Sequence, residues 1–192
     1  MTDQEKIQRA ITLFGGNESD WAIHENGRGV VNKSASVQTS VFIDSKVIVT
    51  GKAQVYGNAR VTGNAQVYGD AWVYGGAQVS GDAQVSGNAL VFGNVWVSGN
   101  AHVSGDAQVY GKAQVSGNAQ VSGDAWTKSP LYVQGSVHAA YQASKSIIGI
   151  GCEKHTLKVW KRDFAKIGKR NKYTDDQIEE YRKIILFFES MI

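Results

Sequence analysis

The chain has 192 residues, 42% of them hydrophobic and 19% charged, with 22 glycines, one proline, one cysteine and a formal net charge of +3. It is too apolar and too poor in proline for a disordered chain, too poor in glycine for collagen, and without the ~18-residue apolar run of a membrane span. The single Cys152 excludes an internal disulfide and a cysteine-rich zinc site. With acidic residues where a signal peptide needs a basic and then an apolar segment, it leads us to expect a cytoplasmic protein with no membrane partner.

The first predicted element is a helix. Thr2 and Glu5 have capping-box spacing, Ile7, Ala10, Ile11 and Phe14 recur at helical spacing, and Gly15 and Gly16 stop the run. With Trp21 and Ile23 leading onward, residues 1–26 read as a cap.

A repeat then dominates. From Gly51 to Lys128 the chain holds thirteen six-residue units on the pattern G-(N/D/K)-A-x-V-x. Glycine opens every unit; alanine holds the third place except at Val95, and valine the fifth except at Thr127. Weaker units in the same phase extend the array to residues 27–134, eighteen units in all. A strict period of six rotates any apolar stripe around a helix, whereas alanine and valine two apart share one face of a strand. Each unit is therefore a short strand with Ala and Val inward, followed by a glycine corner. So strict a repeat points to stacked coils of parallel strands rather than a hairpin meander.

The units resemble the hexapeptide repeat of left-handed parallel β-helices, in which three hexads make one triangular coil. That resemblance implies a mainly β fold: a left-handed solenoid of six coils over residues 27–150, between a short N-terminal helix and a helical tail at 151–192. Stacked on eighteen residues, the outward positions of the first face are Ser36, Gln54, Trp72, Leu90, Gln108 and Trp126, beside Gln38, Tyr56, Tyr74, Phe92, Tyr110 and Lys128. Tyr56, Trp72, Tyr74, Leu90, Phe92, Tyr110 and Trp126 then form an apolar and aromatic strip, the kind of surface that marks a contact. Its cover would be the chain's own terminal helices, an identical subunit in a dimer or trimer, or a foreign protein or small ligand. The second face carries Phe42, Arg60, Gln78, Trp96, Gln114 and Tyr132, and the third Ile48, Gln66, Gln84, His102, Gln120 and His138.

In the tail, Thr156 is a candidate N-cap, Leu157, Trp160, Phe164 and Ile167 follow helical spacing, and Gly168 is a candidate stop. A second helix opens on the Thr174/Gln177 capping box, Tyr173 can staple onto Ile178, and Ile178, Tyr181, Ile185 and Phe188 form its stripe. Eight basic residues, Lys154, Lys158, Lys161, Arg162, Lys166, Lys169, Arg170 and Lys172, make a candidate partner-binding patch, opposed only by Asp163. Nucleic acid or an acidic partner would suit it, though no base-reading motif accompanies it. Otherwise it is a solvated face beside Asp175, Asp176, Glu179 and Glu180.

The best-known hexapeptide-repeat proteins are acyltransferases, which use a histidine base and often a loop extruded from a corner. The uninterrupted hexads leave no such loop, and His102 and His138 sit among glutamines and serines. For zinc chemistry of the β-helical carbonic anhydrase kind, those two histidines are two coils apart, and the expected third is replaced by Gln142 and Ala143. No catalytic residue, metal or cofactor is expected. Seven basic and five acidic residues over 27–140 also argue against mimicry of DNA. The chain as a whole, including His155–Trp160 (H-T-L-x-x-W), resembles small hexapeptide-repeat proteins of phages and prophages. What this resemblance implies is a non-catalytic, oligomeric scaffold in the host cytoplasm that antagonises a host-defence protein or its signal, with an acyltransferase or a nucleic-acid binder as the alternatives.

Overall fold

The computed structural model describes residues 1–123 and 130–192, together with the backbone of 125–126. The chain divides into two units, Met1–Ser129 and Pro130–Ile192.

In the first unit, strands of two to four residues from Val30 onward pair in parallel with the strands one turn before and after, forming three sheets, and Trp21–Ile23 joins the edge of one of them antiparallel. Gln54 pairs with Trp72, Trp72 with Leu90, and Leu90 with Gln108, a register of eighteen. The backbone N–H groups of Gln54, Tyr56 and Asn58 donate to the carbonyls of Ala71, Val73 and Gly75 at 2.8, 3.1 and 2.8 Å. These ladder bonds join neighbouring turns, as a solenoid requires and a meander does not. One face has five strands, so the stack makes about five turns rather than the six expected.

The core follows from the repeat. Ala53 through Ala119 and Val55 through Val121, at their hexad positions, are at most 1% exposed. The corners need glycine for two reasons. At Gly51 φ is +70°, and an added Cβ would lie 2.7 Å from the Gly69 carbonyl oxygen one turn away. At the corners, polar side chains repeat the ladder: Asn64 donates to Asp82 at 2.8 Å and Asn88 to Asp106 at 2.9 Å.

Helix α1 (Asp3–Phe14) packs against the first strands of this unit. Thr2 Oγ1 accepts from the Glu5 N–H at 3.2 Å while the Glu5 carboxylate accepts from the Thr2 N–H at 2.7 Å, the expected capping box. Ala10 packs with Trp21, Val30 and Ile48, and the Phe14 ring lies 5.5 Å from Tyr68. Val30 and Ile48 are outward positions of the third face, so α1 covers the start of that face, which explains why these two are apolar where Gln66 and Gln84 follow. Buried Lys6 donates to Asp3 at 3.1 Å and to the Arg28 carbonyl at 3.3 Å, and Asp3 also pairs with Arg28.

The second unit corrects the expected boundary at residue 150. Tyr132–Gln134, Ala139–Gln142, Ile147–Ile150 and Glu153–Thr156 form one antiparallel sheet. Once the glycine, alanine and valine of the hexad lapse together, nothing holds the chain to the coil. Ala140, Ile148 and Ile150 instead share a core with two helices. Tyr132 and His138 therefore leave the solenoid columns assigned to them.

Helices α2 (Leu157–Arg170) and α3 (Asp175–Met191) form the expected hairpin. Thr156 caps α2 through the Val159 N–H at 3.3 Å, and the Thr174/Gln177 box caps α3. Gly168 is not the stop; α2 runs through it to an Asn171 C-cap. An added Cβ at Gly168 would lie 2.6 Å from Ile178 Cγ1, so this glycine lets the helices approach. Trp160 Nε1 donates to the Ile148 carbonyl at 2.8 Å, tying α2 to the sheet. Among the described residues no helix is long and apolar enough to cross a membrane.

Candidate interaction surfaces

Four of the seven predicted strip residues form a single file. Tyr56, Tyr74, Phe92 and Tyr110 stack with centroid spacings of 4.9, 4.9 and 5.0 Å and interplanar angles of 4°, 1° and 6°. The spacing is that of the strands themselves, so the rings inherit their parallel stacking from the coil. Each is half-buried. Desolvation, then the adjacent Tyr74, raises the Tyr56 phenol above its ordinary pKa.

Trp72 and Leu90 stand in register on the same sheet. The Trp72 ring meets Tyr56 edge-on at 6.4 Å and remains 39% exposed. The structure therefore brings Tyr56, Trp72, Tyr74, Leu90, Phe92 and Tyr110 together as one surface, and α1 does not cover it. The side chain of Trp126 lies outside the described residues. Its backbone pairs with Val109 rather than Gln108, a slip of one residue from the expected register. That slip falls in the last unit, where Thr127 replaces valine.

A further exposed indole, Trp96 (52%), stands on the neighbouring second face between Gln78 and Gln114. Sequence reasoning put it in its column but not in a site, because its immediate neighbours in that column are both glutamines. On that face Arg60 covers the Phe42 ring at 4.7 Å.

The eight basic residues are all exposed. At 100° per residue, Lys158, Lys161, Arg162, Lys166, Lys169 and Arg170 share one side of α2, opposite Leu157, Trp160, Phe164 and Ile167. Their acidic partners are Asp163, as expected, and two residues other than those expected from the start of α3. Lys161 pairs with Glu189 at 2.5 Å, Arg162 with Asp163 at 2.6 Å, and Arg170 with Glu153. Glu179 instead binds Arg182, and Glu180 binds Ser136. Hydrogen bonds from Asn171, Arg170 and His155 hold the Glu153 carboxyl below its usual pKa. Lys154, Lys158, Lys166, Lys169 and Lys172 have no salt bridge among the described residues.

Sequence reasoning missed an apolar surface on α3. Leu186, Phe187 and Met191 are 40%, 46% and 58% exposed, outside the buried stripe of Ile178, Tyr181, Ile185 and Phe188. The signal was the run Ile184–Phe188, whose five consecutive apolar residues cannot all face one side of a helix.

The candidate bases fall in different units. His102 pairs with Gln84 and Gln120 in the third sheet, whereas His138 lies in the second unit, its ring 6.0 Å from Tyr173. Among the described residues no three His, Cys, Asp or Glu side chains are grouped to hold a metal ion.

Parallel strands returning every eighteen residues, around a sealed Ala/Val interior, define a β-solenoid protein. The family model described as YdcK beta solenoid repeat matches residues 53–67, 65–81, 83–99 and 113–127, all within the first unit. Comparison with curated proteins and with solved structures gave no match.

Proposed function

We propose that this protein is a non-catalytic scaffold, a left-handed hexapeptide-type solenoid that self-associates and binds a partner. The observation that carries the reading is the aromatic file with Trp72 exposed beside it. Stacking already fixes the rings, so a contact there costs little side-chain entropy. Indole and phenol rings also supply most of the energy at protein contacts. A dimer or trimer of the solenoid through this face is the simplest use of it. The resemblance to phage proteins supports antagonism of a host-defence protein or its signal as the role of the assembly.

The test is light scattering on the purified chain and on Trp72→Glu combined with Phe92→Glu. The parent is expected at two or three times the chain mass and the double variant at the chain mass. A monomeric parent, or a variant of unchanged mass, overturns self-association through this face. Far-UV circular dichroism confirms that the variant is folded.

A further inference from the structure

The outer sides of α2 and α3 combine two properties that neither helix shows alone. Near the start of α2, Lys158, Lys161 and Arg162 are exposed. The ion pair from Lys161 to Glu189 places them beside the last turns of α3. There Leu186, Phe187 and Met191 project from the side opposite the buried stripe, with Lys183 among them. Further along α2, Lys166 and Lys169 extend the charge without any ion pair among the described residues.

We infer that the outer face of the α2–α3 hairpin docks onto an anionic lipid surface, with the α2 lysines over the headgroups and Leu186, Phe187 and Met191 entering the interface. Three features favour a lipid plane over a macromolecular partner. The charge is mostly lysine, six of the eight basic residues. Lysine acts as a point charge that suits a fluid array of phosphates, whereas arginine favours fixed bidentate recognition. The surface is the outside of two helices, where Leu157, Lys158, Lys161, Arg162 and Glu189 line a hollow open to solvent. Exposed apolar side chains beside a basic face are the pattern of helices that lie in the headgroup region. This inference concerns the second unit and does not rest on association through the solenoid. It replaces the expectation, drawn from the lack of a long apolar run, that membranes play no part.

The experiment is flotation of the full chain with vesicles of phosphatidylcholine and phosphatidylglycerol, against vesicles of phosphatidylcholine alone. Binding is expected only to the mixed vesicles and should weaken as salt rises. Lys158→Glu with Lys166→Glu and Lys169→Glu should abolish it. Leu186→Ser with Phe187→Ser, exposed positions that leave the core intact, should weaken it by about tenfold or more. No binding to the mixed vesicles overturns the inference, as does equal binding to both kinds. Unchanged binding by the Leu186/Phe187 variant overturns the apolar half. Retention of a DNA duplex without any vesicle binding assigns the basic face to nucleic acid instead.

Discussion

Gly69 and Gly105 occupy the same place in the repeat, with φ of +73° and +61°, yet they face different surroundings. A Cβ at Gly69 would lie 2.9 Å from the Gly87 nitrogen, whereas at Gly105 it would meet nothing within 4 Å among the described residues. Gly105→Ala should therefore cost only the left-handed backbone penalty, about 1 kcal/mol. Gly69→Ala adds a backbone clash and should cost about 3 kcal/mol. Urea unfolding of the two variants checks this, and equal losses would remove the packing half of the argument. In the second unit, burial and then the neighbouring Tyr181 push the Tyr173 phenol up to about 12. The folded chain keeps a proton that the unfolded chain releases near pH 10, so this contribution is complete below pH 10 and is lost as pH rises towards 12. Tyr173→Phe should flatten the alkaline fall in stability, measured as unfolding midpoint against pH.

Among the elements, the aromatic file is the one whose members depend on each other. Phe92 touches a ring on either side, at 4.9 and 5.0 Å. Phe92→Ala loses both contacts and part of its burial, an expected cost of about 2 kcal/mol. Trp96→Ala removes a larger ring that is 52% exposed and should cost less than about 1 kcal/mol. Thermal unfolding of the two variants ranks them, and a greater loss at Trp96 would show that stacking contributes little. The file was legible in the sequence because Tyr56, Tyr74, Phe92 and Tyr110 recur every eighteen residues. The α3 surface was not read, because choosing the stripe of Ile178, Tyr181, Ile185 and Phe188 left Leu186 and Phe187 without an assigned place. Both capping boxes were legible for a local reason, since cap and third residue meet within one turn.

For the solenoid as a whole, stability is the sum of similar increments, because each turn buries the same small side chains against the next. Val61→Ala, Val85→Ala and Val109→Ala lie on three different faces and are each fully buried. Each should lower stability by about 2 kcal/mol through lost burial and a small cavity. Chemical denaturation checks this, and one variant costing several times the others would identify a nucleus that the repeat does not suggest. The second unit has no such uniformity: Trp160, Ile167, Tyr181 and Phe188 meet Ile148 in a single core.

The sequence by itself determined the strand unit, the inward Ala and Val, the glycine corners, the eighteen-residue files and the starts of all three helices. Each of these follows from spacing within a unit or from identity between units. Only the tertiary structure decided where the solenoid ends, which face α1 covers and which acidic residues meet the basic helix. Those outcomes depend on competition between distant apolar surfaces: Ile148 and Ile150 gain more burial against α2 and α3 than a degraded hexad offers them in a further coil.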